Sequence, residues 1–524
     1  MLYVGYDRFR SVPELKDARG YLKVPERFKG HQDVFSLNHL QTDTHFFING
    51  YISIALNSPA EKIVGAFPAL FAPRLDRALV LGVGSGATCG TAARLFEKVD
   101  AVEINPVVLN NFYRMREHNF NLASRTNVQF FLDDGVHFTK TCREKYPLII
   151  NTVTAPIYFS SSKLYTLEFL REIRRCLVSD GVYVTWVDSR IGDRGLDIIL
   201  KTVKESGFKT CALGGIKAGY FLLLCSDAPV RLRQADVVTK QALVSNYFRA
   251  EGLAPEFLPY GLLSTKAFEL IIDADAPVNT LDIPALELQM AALDDRFDSK
   301  WATRLIEKLN IEELEQALLP ALKVDPVNLA LHTERLYKDS PIASQRLRLL
   351  DQANEDLYER LLPARLKYYS DWAELAKTPA AKHNYTRELI QQKKFDLAIQ
   401  VEQSILEEHP NDFYVYYNVG LCQEQKKEFD AALASYAKQA KLHPQDNRLA
   451  LAMGRVHYKL HRNTEALAFL TQACRDNDKL ENHVYLSFVL KDLGREKEGE
   501  AEYQKGLKRG QSGAPSSAAS SESP

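Results

Sequence analysis

The sequence predicts an α/β chain: a Rossmann-like, doubly wound sheet with an N-terminal β-segment before it and an all-α repeat region after it. Three observations predict this. A strand, helix, strand rhythm fills residues 77–226. Within it, "ALVLGVGSGATCGTAARLFEKVDAVEINP" sets three glycines between an apolar run and a helical pattern, and a second apolar run ends at Glu103. Farther on, small residues recur 34 positions apart, at Ala398, Ala432 and Ala466 and at Gly420 and Gly454.

In chain order, residues 1–75 alternate apolar and polar positions in short pieces. "QDVFSL", "THFFING" and "YISIAL" read as antiparallel strands, with Asn49-Gly50 as the turn between the last two. The strand candidates of the next domain, 76–290, are "ALVLGV", "VDAVEI", "VQFFLD", "YPLIIN", "GVYVTWV" and "GYFLLLC". Residues 227–375 read as mainly helical, with breaks near Pro255, Pro277, Pro284 and Pro326, and carry little legible chemistry; within them and on to 378, residues 291–378 read as a helical connector. From 379 to 508 the 34-residue period, joined by Pro410 and Pro444, is the tetratricopeptide pattern, with three to four units and a degenerate last one. Residues 509–524, rich in serine and alanine, read as a disordered tail.

Composition narrows the classes. The 524 residues hold 66 basic and 67 acidic side chains, so no charge excess points to nucleic acid or an anionic membrane. "REIRR" at 171–175 reads as a solvated helix face. Seven scattered cysteines form no CxxC pair, which argues against a zinc site or a disulfide framework and fits a reducing cytoplasm. The first twenty residues are too charged for a signal peptide, and the apolar run 219–226 is too short to span a bilayer, so the chain is expected to be soluble and cytoplasmic.

Gly82, Gly84 and Gly86 lie where the first strand turns into its helix, so backbone can approach a ligand beside free N–H groups. Glu103, 21 residues beyond Gly82, can accept hydrogen bonds from both ribose hydroxyls. These features suit NAD as well as other adenosyl ligands. Asp133 and Asp134, at the end of the third strand, are placed to accept an adenine amino group and move the reading away from NAD.

The ordered series Gly82–Thr88, Val102–Pro106, Asp133–Gly135, Leu164–Phe169 and Gly181–Trp186 resembles the spermidine synthase (aminopropyltransferase) family. It most resembles the bacterial branch often fused to a transporter-like membrane domain, and "APVNTLDIPALE", 276–287, is similar to the segment that closes that branch. The resemblance spans roughly 25–290. It implies a class I AdoMet methyltransferase-type fold and a donor that is S-adenosylmethionine (AdoMet) or its decarboxylated form, without a metal. Carried over, Gly82, Gly84, Ser85 and Gly86 line the donor's amino-acid end and ribose, Glu103 binds the ribose, Asp133 and Asp134 the adenine side, and Gln32 contacts the ligand. A homodimer through the β-segment is implied as well.

The acceptor half departs from the family. True synthases carry two aspartates where "IINTVTAP" has Thr152 and Ala155, and a loop aspartate where this chain has Ser85. A loop glutamine appears as Ser53, and the "YHE" motif has no counterpart in "NSPAEKIVGAFPAL". Carboxylates anchor a polyamine and take its proton; a threonine hydroxyl does neither near neutral pH. Asp133, Asn151, Thr152 and Tyr165 remain as acceptor-side candidates, with Thr152, Asp133 and Tyr165 offered as catalytic. Three readings stand: an AdoMet-type aminopropyl- or methyltransferase with an altered acceptor, a non-catalytic nucleotide-binding scaffold whose repeats recruit a protein partner, and an NAD-dependent enzyme.

Overall fold

The computed structural model describes residues 26–29, 34–39, 44–48, 51–56, 58–153, 161–188, 191–217, 220–264, 272–291, 325–336, 347, 350 and 356–512. Gln32, Asn49, Gly50, Ala155, Pro156 and the 513–524 tail lie outside them. The chain divides into two compact units, Met1–Leu357 and Tyr358–Pro524.

The first unit opens with a four-stranded antiparallel meander, β1 (Glu26–Lys29), β2 (Val34–His39), β3 (Thr44–Ile48) and β4 (Tyr51–Ala55). Ile48 pairs Tyr51 across the expected hairpin. Farther along, Phe46 pairs Ile54 while Phe47 pairs Ile52, so Ser53 is passed over. That bulge lets the adjacent Phe46 and Phe47 both be buried, where strict alternation would expose one. Phe35 and Phe46 stack with ring centres 5.8 Å apart.

Helix α1 (Ala60–Ala66) leads to the main sheet. Its strands are β5 (Arg77–Leu81), β6 (Lys98–Glu103), β7 (Val128–Leu132), β8 (Tyr146–Asn151), β9 (Leu177–Asp188), β10 (Thr210–Lys217), β11 (Tyr220–Ser226) and β12 (Leu262–Ser264), in the spatial order 12-10-11-9-8-5-6-7. Strands 5 to 9 run parallel, and β11 and β10 are added antiparallel. Helices α2 (Ala87–Leu95), α3 (Pro106–Asn111), α4 (Gly135–Thr141), α5 (Leu167–Cys176) and α6 (Gly192–Glu205) make the crossovers. The order reverses between β5 and β8, and such a switch point opens a crevice at the carboxyl ends of the strands.

Two cores fill the faces. Val80, Ile150 and Val184 point to one and Leu79, Ile149 and Tyr183 to the other, which is why the central strands read as continuous apolar runs. The six sequence-predicted strands all form. Strand β10, "TCALGGIK", escaped the pattern because Gly214 and Gly215 dilute it. A Cβ on Gly214 would meet the Phe67 ring at 2.7 Å, so the glycine admits that ring. Strands β1 and β12 were also missed; both are short.

The second unit is all helical: α7 (Leu357–Ala376), which begins at the unit boundary, α8 (Pro379–Gln391), α9 (Phe395–Glu408), α10 (Val415–Gln425), α11 (Phe429–Leu442), α12 (Arg448–Lys459), α13 (Asn463–Asp476), α14 (Leu480–Asp492) and α15 (Glu496–Ser512). Ala398, Ala432 and Ala466 occupy the fourth position of α9, α11 and α13 and are fully buried. A Cβ on Gly420 would press on the Tyr436 ring at 2.5 Å and one on Gly454 on Leu470 at 2.7 Å. Small residues at a 34-residue spacing therefore mark where neighbouring helices approach closest. No helix among the described residues is long and apolar enough to cross a membrane.

Candidate functional site

The carboxyl ends of β5, β6, β7 and β8 gather the residues singled out in the sequence. Gly82, Gly84 and Gly86 all adopt left-handed backbone, with φ of +89°, +53° and +82°. Side chains resist that conformation, at a cost of about 1–2 kcal/mol per residue, so glycine spacing here is dictated by the turn itself. A Cβ on Gly82 would lie 2.6 Å from Thr152 Oγ1, whereas one on Gly84 would meet nothing within 4 Å. Gly84 thus faces open space, and it borders an apolar cleft lined also by Phe28, Phe46, Val107 and Phe112.

Glu103 is buried beside this loop. Its Oε2 accepts the amides of Val83 at 2.8 Å and Gly84 at 3.4 Å, and its Oε1 accepts the Asn105 amide at 2.9 Å. Burial pushes its carboxyl above the usual range, while those amides pull the other way. Ser85, also buried, donates to Glu61 Oε2 at 2.5 Å and accepts the Ala87 amide at 3.1 Å.

Asp133 and Asp134 have separate duties. Asp134 Oδ1 accepts the Val136 amide at 2.7 Å and caps α4. Asp133 Oδ1 accepts the Asp134 amide at 2.8 Å, and both its oxygens lie 2.9 Å from His137 Nδ1. Two large apolar side chains flank them in the open: Ile104 is 65% exposed and Leu132 is 59% exposed. Both belong to the strand candidates "VDAVEI" and "VQFFLD", and their exposure shows only in three dimensions.

The acceptor-side candidates turn inward. Thr152 directs its hydroxyl to the carbonyls of Leu81 at 3.0 Å and Gly82 at 2.9 Å. Asn151 is fully buried, with its amide nitrogen 3.4 Å from the hydroxyls of Tyr183 and Thr185. Tyr165 donates to the carbonyls of Val153 and Trp186 and packs in the core. Its segment is held by Asn279 of "APVNTLDIPALE", whose side-chain nitrogen reaches the carbonyls of Ser162 and Tyr165 at 3.2 Å each. Of the sequence-predicted residues, the loop glycines, Ser85, Glu103, Asp133, Asp134 and Thr152 come together at one end of the sheet. Gln32 lies outside the described residues.

Two more residues build the loop and left no local signal. Asn119, fully buried, donates to the carbonyls of Ser85 at 3.0 Å and Phe112 at 2.9 Å and accepts the Leu122 amide at 3.1 Å. Glu61 arrives from α1, 24 residues before Ser85. The "REIRR" cluster is more than a solvated face: Arg174 pairs with Asp227 at 2.8 Å, and Arg175 donates to the carbonyls of Thr139, Lys140 and Cys142 around the end of α4.

Residues 59–205 match the spermine/spermidine synthase domain family. The polyamine aminopropyltransferase 2 of Aquifex aeolicus (strain VF5) is 31% identical over 190 residues, 35% of this chain and 36% of that protein. The polyamine aminopropyltransferase of Erwinia tasmaniensis is 37% identical over 112 residues, 21% of this chain and 39% of that one. The chain thus spans between about a third and two fifths of the length of these two relatives. The spermidine synthase of Thermotoga maritima overlays 52% of this chain and 90% of its own, at 12% identity and a TM-score of 0.38.

Proposed function

We propose, from the spermine/spermidine synthase domain over residues 59–205, that the first unit is a transferase that takes AdoMet or decarboxylated AdoMet and an acceptor other than putrescine. The observation that carries this reading is the glycine loop, with three left-handed glycines beside a buried Glu103 at the switch point of the sheet. A Cβ on Gly84 would meet nothing within 4 Å, so backbone is open to approach there by the donor's ribose or amino-acid end. Ile104 and Leu132 offer apolar faces for an adenine, with Asp133 or Asp134 at its edge. The aminopropyl or methyl carbon next to the sulfonium would be attacked by a neutral nucleophile, and a thioether would leave.

The acceptor side supports the second half of the proposal. A dicationic amine needs carboxylates to hold it and to take its proton. Thr152 spends its hydroxyl on backbone carbonyls, and Asn151 and Tyr165 are buried in hydrogen bonds of their own. Groups so engaged with the protein's own atoms support an acceptor other than a dicationic amine.

For the second unit we propose a tetratricopeptide array that recruits a protein partner, supported by the buried alanines at 34-residue spacing. For the first unit we propose, besides, a homodimer through the β-segment. If the first unit binds no nucleotide, the scaffold reading stands alone. The NAD reading rests on the glycine fingerprint.

The deciding experiment is calorimetric titration of the full chain with AdoMet, decarboxylated AdoMet, methylthioadenosine and NAD, repeated on Glu103→Ala. Binding of an adenosyl-sulfur ligand, lost in the variant, supports the transferase; binding of NAD alone, or silence with all four, overturns it.

A further inference from the structure

Glu61, on α1, sets a carboxylate beside the glycine loop. Its Oε2 accepts the Ser85 hydroxyl at 2.5 Å, and Ser85 is the polar side chain within the glycine loop. Its own carbonyl accepts the Thr88 hydroxyl at 2.9 Å, so α1 is tied to the start of α2 at two points. A Cβ on Gly65, one turn along α1, would meet the Thr88 carbonyl at 2.6 Å, which shows how closely these two helices cross.

Among the described residues no cation pairs with Glu61. Lys62, next in the chain, is buried and turned elsewhere: its Nζ donates to the Leu56 carbonyl at 3.2 Å and lies 4.7 Å from the centre of the Tyr247 ring. Burial raises the Glu61 carboxyl above its usual range, with the Ser85 bond opposing that shift. A half-buried carboxylate with one hydroxyl donor and no ion pair, offset only by the more distant charge of Lys62, is unfavourable unless something positive completes it. AdoMet and decarboxylated AdoMet both carry an ammonium at the end of the chain on sulfur.

We infer that Glu61 is the donor's ammonium-binding residue, reaching the loop through Ser85 and standing in for the carboxylate that the loop lacks. This rests on the transferase reading and names the group that makes the site selective for amine-bearing adenosyl ligands.

The test is calorimetry on the full-length wild type and on Glu61→Gln, which keeps an oxygen to accept from Ser85. Four ligands are used: AdoMet, decarboxylated AdoMet, S-adenosylhomocysteine and methylthioadenosine. S-adenosylhomocysteine has the ammonium but no sulfonium; methylthioadenosine has neither. Loss of one charge-assisted hydrogen bond predicts roughly tenfold to hundredfold weaker binding of the first three, with methylthioadenosine held within about twofold. Methylthioadenosine serves as the internal control for a folded site. Equal weakening of all four, or of none, overturns the inference while the transferase reading survives. Weakening of the two sulfonium ligands but not of S-adenosylhomocysteine overturns it too, because Glu61 would then answer to sulfur. Failure of the wild type to bind any of the four removes the transferase reading and this inference with it.

Discussion

Glu103 holds the amide of Val83 at 2.8 Å across twenty residues of chain, so the acid at the end of β6 fixes the shape of the glycine loop at the end of β5. Glu103→Ala is expected to remove two or three amide bonds from a buried site. The cost is about 1–3 kcal/mol of stability, since the loop amides are left without their acceptor. Glu103→Gln keeps an acceptor oxygen and is expected to lose less. Thermal unfolding of both variants, beside donor titration, checks the ordering.

Two glycines of one segment are expected to respond in opposite ways. A Cβ at position 90 would lie 2.0 Å from the Asn119 carbonyl oxygen, so Gly90→Ala must separate α2 from that backbone. A loss of about 2–4 kcal/mol or failure to fold is expected, on the scale of core overpacking. At position 84 the added methyl meets nothing, and only the left-handed backbone resists it, at about 1 kcal/mol. Gly84→Ala is therefore expected to fold and to lose donor binding. Urea melts alongside calorimetry separate the two.

Asn119→Ala removes a side chain that satisfies three backbone groups, at Ser85, Phe112 and Leu122. The expected destabilisation is about 2–3 kcal/mol, because each buried group is left unpaired. Hydrogen exchange should show lost protection centred on residues 83–87 and 119–122. Uniform loss across the sheet would contradict this placement.

The helical unit has its own pH response. His383 lies between Glu402, 2.9 Å from Nδ1, and Asp412, 3.0 Å from Nε2. Burial would lower its pKa, but Asp412 and Glu402 outweigh burial and raise it to about 9 from an ordinary 6.5. A pKa raised on folding gives stability that is fully present below about 6.5 and is lost as pH rises through about 9. The amount is up to about 3 kcal/mol. His383→Gln should abolish that slope between pH 6.5 and 9 when the unfolding of wild type and variant is compared. A parallel slope in the two proteins would assign it to another group.

What was legible in the sequence was what is encoded locally. Strand β5, the loop and Glu103 follow from glycine spacing and an acid at a strand end, because left-handed turns admit few residues. The buried strands read out because a parallel sheet covered on both faces needs continuous apolar runs. Asn119 and Glu61 reach Ser85 from 34 and 24 residues away, and neither has a sequence pattern of its own. Asp134 reads from the sequence as an adenine-side residue, and only its bond to the Val136 amide shows that it also caps α4. Thr152 was offered for chemistry on its place in a motif; the direction of its hydroxyl, toward two carbonyls, depends on the neighbouring strand.

The loop's three left-handed turns are held by Glu103, Asn119 and Ser85 before any ligand arrives. The conformational entropy of ordering this segment is therefore settled during folding, not during association. A ligand entering here meets a preformed surface, so encounter would be limited by diffusion and desolvation, and differences in affinity between ligands would be read mainly in how fast each one leaves.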